Sequence, residues 1–272
     1  MPADDGGLLT DRSYLTHVQY RTAANLAARQ SIYQFRQSEP ELPAAVLDLA
    51  GLTGAETLVD VGCGNGPYLA ELARRGHGGR VLGVDLSAGM LRAARAAAPA
   101  AGLAAGDAAA IPAADNVSEV TLVPHMLYHV PDRLGAVREL RRITRDGGAV
   151  LVVLNGADHL RELREVLSAA SADVGVPAGR VWAEVGADGA VLGLDAGAEL
   201  LGSVFRTVER HDFHAELVIP SPEPVLDYVR SMRGTQTLAD ADSLLAAVAR
   251  RIAVSDKGTI RIRSHAGCLV CR

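Results

Sequence analysis

The sequence is poor in cysteine, and only one of its 27 basic residues is a lysine. Its three cysteines, Cys63, Cys268 and Cys271, are too few and too unevenly placed to form a disulfide framework. Cys268 and Cys271 make a single CxxC pair inside a strand-like segment, whereas a structural zinc site needs four ligands. We therefore predict that both are ordinary strand residues and that the protein has no metal site.

Long apolar runs and blocks of basic charge are also missing. No stretch approaches the roughly 20 apolar residues that a membrane-spanning helix needs. The acidic, glycine-rich segment 1–7 lacks the basic start and apolar run of a secretory signal. The net charge is -5 and the charges are interspersed, unlike the basic stripe of a nucleic-acid binder. These absences predict a cytoplasmic protein that binds neither membranes nor nucleic acids.

Short apolar runs alternate with helical stretches in the middle of the chain. The runs cover 57–61, 81–85, 117–123 and 149–154. Apolar strands separated by helices predict a parallel sheet that is covered on both faces. A single helix is expected over 13–37. The other expected helices cover 43–50, 67–75, 88–98, 132–145, 159–172, 224–232 and 240–254, and later strands cover 203–219 and 259–271.

The strongest local signal is the turn that follows the first predicted strand. Asp60 and Val61 run into Gly62-Cys63-Gly64-Asn65-Gly66, and a helix begins at Pro67. Glycine is needed where the backbone must approach a ligand closely or take a positive φ angle. The following helix N-terminus offers free amides and a partial positive charge. Such a turn can hold the carboxylate end of a ligand that carries an amino-acid group.

Two acidic residues follow the next two predicted strands. Asp85 ends the second strand about 20 residues after the glycines, where an acid suits the two hydroxyls of a ribose. Asp107 follows Gly106 and the short apolar run 102–105. An NAD site also has an acid at the end of its second strand. Its glycines are spaced G-x-G-x-x-G, however, whereas in this sequence Pro67 stands where the third glycine of that pattern belongs. Asp85 therefore predicts a ligand that contains a nucleoside, and the glycine spacing departs from the NAD pattern.

These motifs resemble those of class I S-adenosylmethionine-dependent methyltransferases that act on quinones or natural products. Residues 85–91 match the family's D-x-S-x-x-M-L run, and 106–112 resemble G-D-A-x-x-L-P, with Ile111 for leucine. Residues 121–132 resemble the stretch after the fourth strand, with Tyr128 replacing the first of two histidines. The resemblance covers about residues 57–155. It implies a Rossmann-like, doubly wound α/β fold with a seven-stranded, mostly parallel sheet.

The resemblance also implies a domain organisation. The predicted parts are N-terminal lid helices in 1–50, a cofactor-binding core in 51–220, a small helical cap insertion in 221–256 and a final core strand in 257–272.

The implied cofactor is S-adenosylmethionine, which leaves as S-adenosylhomocysteine. Asp107 is expected to accept the adenine amino group, and the region of Pro124 to form the floor under the sulfonium. Arg29 suits the cofactor carboxylate because a guanidinium matches it in shape, and Tyr14, Tyr20 and Tyr33 are expected to cap the site. The predicted cofactor-binding residues are Tyr20, Arg29, Asp60, Gly62, Cys63, Gly64, Asn65, Gly66, Asp85, Leu86, Met90, Gly106, Asp107, Ala108 and Pro124.

The candidate catalytic residues are His125 and His129. A base is needed only where the methyl acceptor must lose a proton, and histidine titrates near neutral pH. His125 lies just past the fourth strand, whose end opens on the cofactor crevice. His129 is the second candidate base. Its other interpretation is a structural one, in which it orders the loop before the helix that begins at Asp132. His211 and His214 are further candidates for the acceptor pocket, since strand alternation alone does not tell which of them faces it.

The leading function is methylation of a small molecule at oxygen, nitrogen or carbon by a monomer or homodimer. An RNA or protein methyltransferase, a cofactor-binding protein without methyl transfer and an NAD-dependent oxidoreductase are the alternatives. The absence of a basic extension counts against RNA. Asp85 and the intact glycines predict cofactor binding with or without turnover.

Overall fold

A seven-stranded sheet forms the centre of the computed structural model, which describes residues 10–37, 40–182, 192–254 and 259–272. The strand order is β3-β2-β1-β4-β5-β7-β6. All neighbouring strands are parallel except β7, which is antiparallel to both β5 and β6. This confirms the predicted Rossmann-like, mostly parallel sheet. The strands are β1 Leu58–Val61, β2 Val81–Asp85, β3 Gly102–Ala105, β4 Ser118–Pro124, β5 Thr144–Asn155, β6 Val208–Ile219 and β7 Ile260–Cys271.

Twelve α-helices are found in the described residues, and they cover both faces of the sheet. Ser87 and Asp132 begin helices by accepting hydrogen bonds from backbone amides of the first turn. None of the described helices is both long and apolar enough to cross a membrane. The helices are α1 Arg12–Tyr14, α2 Ala24–Gln30, α3 Leu42–Leu49, α4 Pro67–Arg74, α5 Ala88–Ala97, α6 Arg133–Ile143, α7 Arg161–Asp173, α8 Ala178–Trp182, α9 Leu194–Gly202, α10 Glu223–Ser231, α11 Arg233–Gln236 and α12 Ala241–Val254.

The N-terminal segment is not the single helix predicted over 13–37. It is α1, a π-helical turn over Leu15–Gln19, α2 and a 3-10 turn over Ser31–Phe35. The break has a tertiary cause, because the Tyr20 carbonyl accepts a hydrogen bond of 2.6 Å from the Ser87 hydroxyl. Gly89 lets the chain pass, since a Cβ atom there would lie 2.0 Å from the carbonyl oxygen of Arg21. The segment therefore leaves a helical path in order to pack on the start of α5.

The inserted helices between β6 and β7 pack on α7 and on the outer ends of these two strands. Val229 of α10 and Val248 of α12 are fully buried in one apolar cluster with Leu163 of α7. Ile32 of the N-terminal segment is part of the same cluster. The insertion and the N-terminal segment are thus joined above the sheet, where they cover the carboxyl ends of the parallel strands.

Cys268 and Cys271 are strand residues, as predicted. Both are free and buried in β7, and they belong to apolar clusters on different faces of the sheet. Side chains three positions apart on a strand point to opposite faces, so the two thiols do not form a joint metal site.

Candidate active site

A cavity of about 600 Å³ lies at the carboxyl ends of the parallel strands, beneath the N-terminal segment. Its walls include Val61 from β1 and Pro124 from β4, the adjacent strands at which the strand order reverses. Ligands of open α/β sheets bind at this position. The predicted site residues that line it are Tyr20, Arg29, Gly62, Cys63, Gly64, Asn65, Asp85, Leu86, Met90, Gly106, Asp107, Ala108, Pro124, His125 and His129.

The glycine turn depends on backbone angles that other residues rarely adopt. Gly62, Gly64 and Gly66 have φ angles of 74°, 55° and 86°. A Cβ atom on Gly62 would lie 2.5 Å from the Met126 side chain. Gly66 is not on the cavity wall, and a Cβ atom there would lie 3.1 Å from the Cα atom of Ala94. The first two glycines therefore shape the wall, and the third allows the close packing of α4 on α5. The predicted contact of Gly66 with a cofactor stays a prediction.

Asp60 is buried and is not among the residues that line the cavity, and its role in cofactor binding stays a prediction. Its side chain is buried, and neither carboxyl oxygen has a hydrogen-bond partner among the described residues. Burial, and then the nearby charge of Asp85, raise the pKa of Asp60 to about 8. The carboxyl group is therefore largely neutral at pH 7, and a cation bound nearby would favour its ionised form.

Asp85 is held in a defined orientation by two backbone amides. Gly64 donates a 2.9 Å hydrogen bond to Oδ2, and Ser87 donates one of 2.8 Å to Oδ1. Burial raises the pKa of Asp85, and these two hydrogen bonds act in the opposite direction. Each oxygen keeps a lone pair for a further donor. The carboxylate is thus arranged to accept hydrogen bonds from two neighbouring hydroxyl groups.

Asp107 has a partner that the sequence did not indicate. Its Oδ1 atom accepts a 2.9 Å hydrogen bond from the amide of Ala109, and its Oδ2 atom forms an ion pair with Arg12. Arg12 belongs to the N-terminal segment and lines the cavity. The ion pair therefore connects the N-terminal segment to Asp107 at the cavity wall.

Arg29 and Tyr20 connect the N-terminal segment to other parts of the wall. Arg29 donates from Nη2 to the carbonyl of Ser231 at 2.9 Å and from Nε to its hydroxyl at 3.2 Å. The Tyr20 hydroxyl lies 3.0 Å from Nε2 of His129, with the rings in an edge-to-face arrangement. Both residues border the cavity, and their contact with a cofactor stays a prediction.

His125 occupies a strained position at the cavity floor. Its φ angle is 52°, which is unusual for a residue other than glycine, and its amide donates to the Val153 carbonyl at 2.9 Å. The surrounding protein lowers the pKa of His125 to about 4, because burial disfavours the charged imidazolium. The ring is therefore neutral at pH 7 and is a weaker base than an exposed histidine would be.

A polar group that sequence reasoning missed lies near His125. Nδ1 of His159 accepts a 3.1 Å hydrogen bond from the amide of His265, so this nitrogen carries no hydrogen. Burial lowers the pKa of His159 to about 3, so the ring is neutral and its hydrogen is on Nε2. Nε2 then donates to the Tyr33 hydroxyl at 3.0 Å. The hydrogen of Tyr33 is left for another acceptor, and the pKa of Tyr33 is raised well above 10 by burial.

Asn155, at the end of β5, adds an acceptor to the same cavity. Its Oδ1 atom is buried, and no described residue donates a hydrogen bond to it. Tyr33, Asn155 and His159 all line the cavity. They therefore offer a donor and an acceptor to a polar molecule at this end. The sequence analysis predicts Tyr33 only as a cap of the site and does not name Asn155 or His159. The position of Asn155 at a strand end is the one signal that could have indicated this group.

His211 and His214 do not line the cavity. Nε2 of His211 lies 3.1 Å from the carboxylate of Glu209. His214 lies on the exposed face of β6, where it borders a separate surface depression. The structure thus separates both residues from the candidate active site.

The sheet order with an antiparallel β7, together with the glycine turn and Asp85, defines the class I methyltransferase fold. The comparison with protein families agrees, because residues 59–152 match the family described as a methyltransferase domain. Residues 59–152 therefore resemble a methyltransferase domain, on a sheet with the fold of the class I, S-adenosylmethionine-dependent type.

Two curated relatives resemble this part of the chain. The malonyl-[acyl-carrier protein] O-methyltransferase of Serratia marcescens is 35% identical over 108 residues, which are 40% of this chain and 42% of the relative. The demethylmenaquinone methyltransferase of Roseiflexus castenholzii is 35% identical over 108 residues, or 39% and 45% of the two chains. This chain thus spans less than half the length of either relative.

A solved structure resembles nearly the whole chain. It is phosphoethanolamine N-methyltransferase 2 of Haemonchus contortus, in complex with S-adenosyl-L-methionine. The TM-score is 0.57 at 19% identity, over 96% of this chain and 59% of that one. At this identity the likeness concerns the fold.

Proposed function

We propose that the protein transfers a methyl group from S-adenosylmethionine to a small organic molecule. The observation that carries this proposal is the cavity wall formed by the glycine turn and by Asp85. Both oxygens of this carboxylate are already oriented by amides of the protein. A site arranged in advance in this way binds its ligand with little further ordering cost.

The residues at the end of the cavity that the glycine turn forms fit the proposed cofactor. Asp85 would accept the ribose hydroxyls, Asp107 the adenine amino group, and the start of α4 would face the carboxylate. Asp60 shows whether a positively charged cofactor suits this part of the protein, because its buried carboxyl group lacks a partner among the described residues. S-adenosylmethionine carries an ammonium and a sulfonium group, and a cation bound in the cavity near the glycine turn would favour the ionised form of this buried carboxyl group.

When bound, S-adenosylmethionine supplies a methyl group that is already activated by the sulfonium, so the protein has no need to activate the donor. The chain's own residues hold and align the acceptor, which is the main source of rate in such a displacement. The N-terminal segment excludes water, since Arg12 and Tyr20 close the cavity against Asp107 and His129.

His125 would take the proton that the acceptor loses, at an imidazole nitrogen. With a pKa of about 4, its ring is unprotonated at pH 7 and ready to accept, but it is a weak base. This combination favours an acceptor with an acidic hydroxyl group, such as a phenol or an enol. The Tyr33 hydroxyl would donate to an oxygen of the same molecule, and the Asn155 Oδ1 atom would accept from it.

A small acceptor is supported by the enclosure of the cavity between the sheet and the N-terminal segment. A pocket of about 600 Å³ is in the range of small-molecule sites. Demethylmenaquinone, which gives one relative its name, is an acceptor of this kind. A nucleic acid is disfavoured by the net charge of -5. A cytoplasmic location and a monomeric or homodimeric state remain predictions.

The proposal is tested in two steps with the full chain. S-adenosylhomocysteine should raise the unfolding temperature and bind in calorimetry, whereas NAD should do neither. The protein is then incubated with methyl-labelled S-adenosylmethionine and a bacterial extract that has been separated into small molecules, proteins and RNA. Label is expected in the small-molecule fraction. Failure to bind S-adenosylhomocysteine, or label confined to the protein or RNA fraction, would refute the proposal.

A further inference from the structure

A second polar cluster lies on the other side of β7 from the cavity. Ser264 and Ala266 line the cavity, and His265 between them points to the opposite face, because side chains alternate along a strand. His265 is paired in register with His214 of the neighbouring strand β6. Asp212 lies two residues before His214 and therefore on the same face. None of these three side chains has a role in the proposed methyl transfer.

The potential ligand atoms of this cluster are close together. Single ligand atoms from Asp212, His214 and His265 all lie within 4.8 Å of one another. The imidazole rings of His214 and His265 have centroids 4.1 Å apart. Nε2 of His265 lies 2.7 Å from Oδ1 of Asp212, within hydrogen-bond distance. The side chains of Asp212 and His214 are exposed at the surface, so an ion has access from solvent.

Asp158 supports the cluster from behind. Nδ1 of His265 lies within hydrogen-bond distance of its carboxylate. Histidines that bind metals in proteins usually donate their second ring N–H to a carboxylate or carbonyl, which orients the ring. Arg210 holds Asp212 in the same manner, with two hydrogen bonds of 2.8 Å to the carboxylate. The arrangement thus contains both a three-residue ligand set and the groups that orient it.

We propose that Asp212, His214 and His265 bind a zinc ion on the outer face of the β6–β7 pair. Two imidazole nitrogens and one carboxylate oxygen are ligands that zinc accepts, and water would complete its four-coordinate shell. The ion would replace the hydrogen on Nε2 of His265, which is released to solvent as a proton. Asp158 would keep its hydrogen bond to Nδ1.

The zinc site lies outside the cavity, so the ion would not touch the ligand. It would instead stabilise the loop after β5, which forms part of the cavity wall. Asp158 precedes His159 in the loop after β5, and the amide of His265 donates to Nδ1 of His159. The amide of Gly156 donates to the His265 carbonyl at 3.0 Å. A Cβ atom on Gly156 would lie 2.1 Å from Nδ1 of His265, so the loop and the ring are packed closely. A bound ion would therefore hold this loop against β7.

The experiment titrates zinc chloride into the untagged full chain, after treatment with a chelator, in a calorimeter. One zinc ion per chain is expected to bind. His214→Ala should abolish this binding. Asp158→Asn should weaken it by about 10- to 100-fold, as expected for a carboxylate that orients a metal ligand. His211→Ala is the matched control, because His211 is on the same strand but outside the cluster, and it should bind zinc like the wild type.

Circular dichroism and thermal unfolding of each variant would verify folding, and His214→Gln provides a second, milder substitution. The proposal is overturned if the wild type binds no zinc, or if His214→Ala and His214→Gln bind it as tightly as the wild type does. Neither outcome concerns binding of S-adenosylhomocysteine, so the zinc site and the proposed methyl transfer succeed or fail separately.

Discussion

The two ends of the cavity are built in different ways. One end is formed by the glycine turn and is called the cofactor end, because we propose that S-adenosylmethionine binds there. Its wall consists of short continuous segments, 62–65, 85–87 and 106–108, and Asp85 is oriented by backbone amides. The other end is called the acceptor end, because we propose that the methyl acceptor binds there. Its residues Tyr33 and His159 come from distant parts of the chain and orient each other through their side chains. The first end is determined by local backbone geometry, and the second by how the N-terminal segment packs on the sheet.

Burial acts in opposite directions on the ionisable groups of the two ends. It raises the pKa of Asp60 to about 8 and lowers the pKa values of His125 and His159 to about 4 and 3. In each case burial disfavours the charged form. These three groups are therefore largely neutral at pH 7 in the free protein. A bound cation would favour ionisation of the buried carboxyl group at the cofactor end, whereas it would keep the two histidines neutral.

The largest effect is expected at the cofactor end. Asp85→Ala removes an acceptor for two ribose hydroxyls, and hydrogen bonds to charged groups contribute about 1.5–3 kcal/mol each. The affinity for S-adenosylhomocysteine in calorimetry should fall by about 100-fold or more. Asp146→Ala, at an exposed carboxylate paired with Arg141, is the control and should bind normally. An unchanged affinity of the Asp85 variant would show that the ribose is bound elsewhere.

Asp60 offers a pH-dependent test of the same end. Its pKa is about 8 in the folded protein and about 4 in an unfolded chain, so folding takes up a proton between these pH values. The contribution of this group to the free energy of unfolding is most favourable below about pH 4. It falls as the pH rises towards 8, by at most about 1.4 kcal/mol per pH unit.

Asp60→Asn does not ionise and should remove this slope. Denaturant unfolding of both proteins between about pH 5 and about pH 8 measures the difference. Saturation with S-adenosylmethionine should reduce the slope of the wild type, because a nearby cation lowers the pKa of the carboxyl group. Parallel stability curves for the wild type and the variant would contradict the raised pKa.

A smaller effect is expected at the acceptor end. Tyr33→Phe keeps the ring but removes the hydroxyl that His159 orients, so KM for the acceptor should rise by about tenfold, as for one lost hydrogen bond. Affinity for S-adenosylhomocysteine should not change. Tyr14→Phe is the matched control, because the Tyr14 hydroxyl donates to Gln19 outside the cavity. If both variants methylate the acceptor like the wild type, Tyr33 does not contact it.

The smallest effect concerns the pH dependence of turnover. Because the pKa of His125 is lowered to about 4, its ring stays unprotonated down to about pH 5. The kcat of the wild type should therefore be level between about pH 5 and about pH 8, and His125→Gln should have a lower kcat throughout. A fall in wild-type kcat centred near pH 6.5, absent in the variant, would show that His125 titrates like an exposed histidine.

Sequence reasoning placed the strands and the glycine-lined part of the cavity wall correctly for a physical reason. A glycine with positive φ and an acid at a strand end depend mainly on their immediate neighbours in the chain. The motifs alone therefore sufficed to place Gly62, Gly64 and Asp85 together on the wall of one cavity. Gly66 could not be separated from them, since its role is set by the contact with Ala94 on another helix.

The sequence by itself determined the parallel sheet, the glycine turn and the acid beside it, because these follow from local backbone preferences and apolar periodicity. Only the tertiary structure decided the break in the helix expected over 13–37, the isolation of Asp60, the pairing of Tyr33 with His159 and the cluster around His265. These features join residues that are far apart in the chain. Their hydrogen bonds and their loss of solvent exist only after the helices have packed on the sheet.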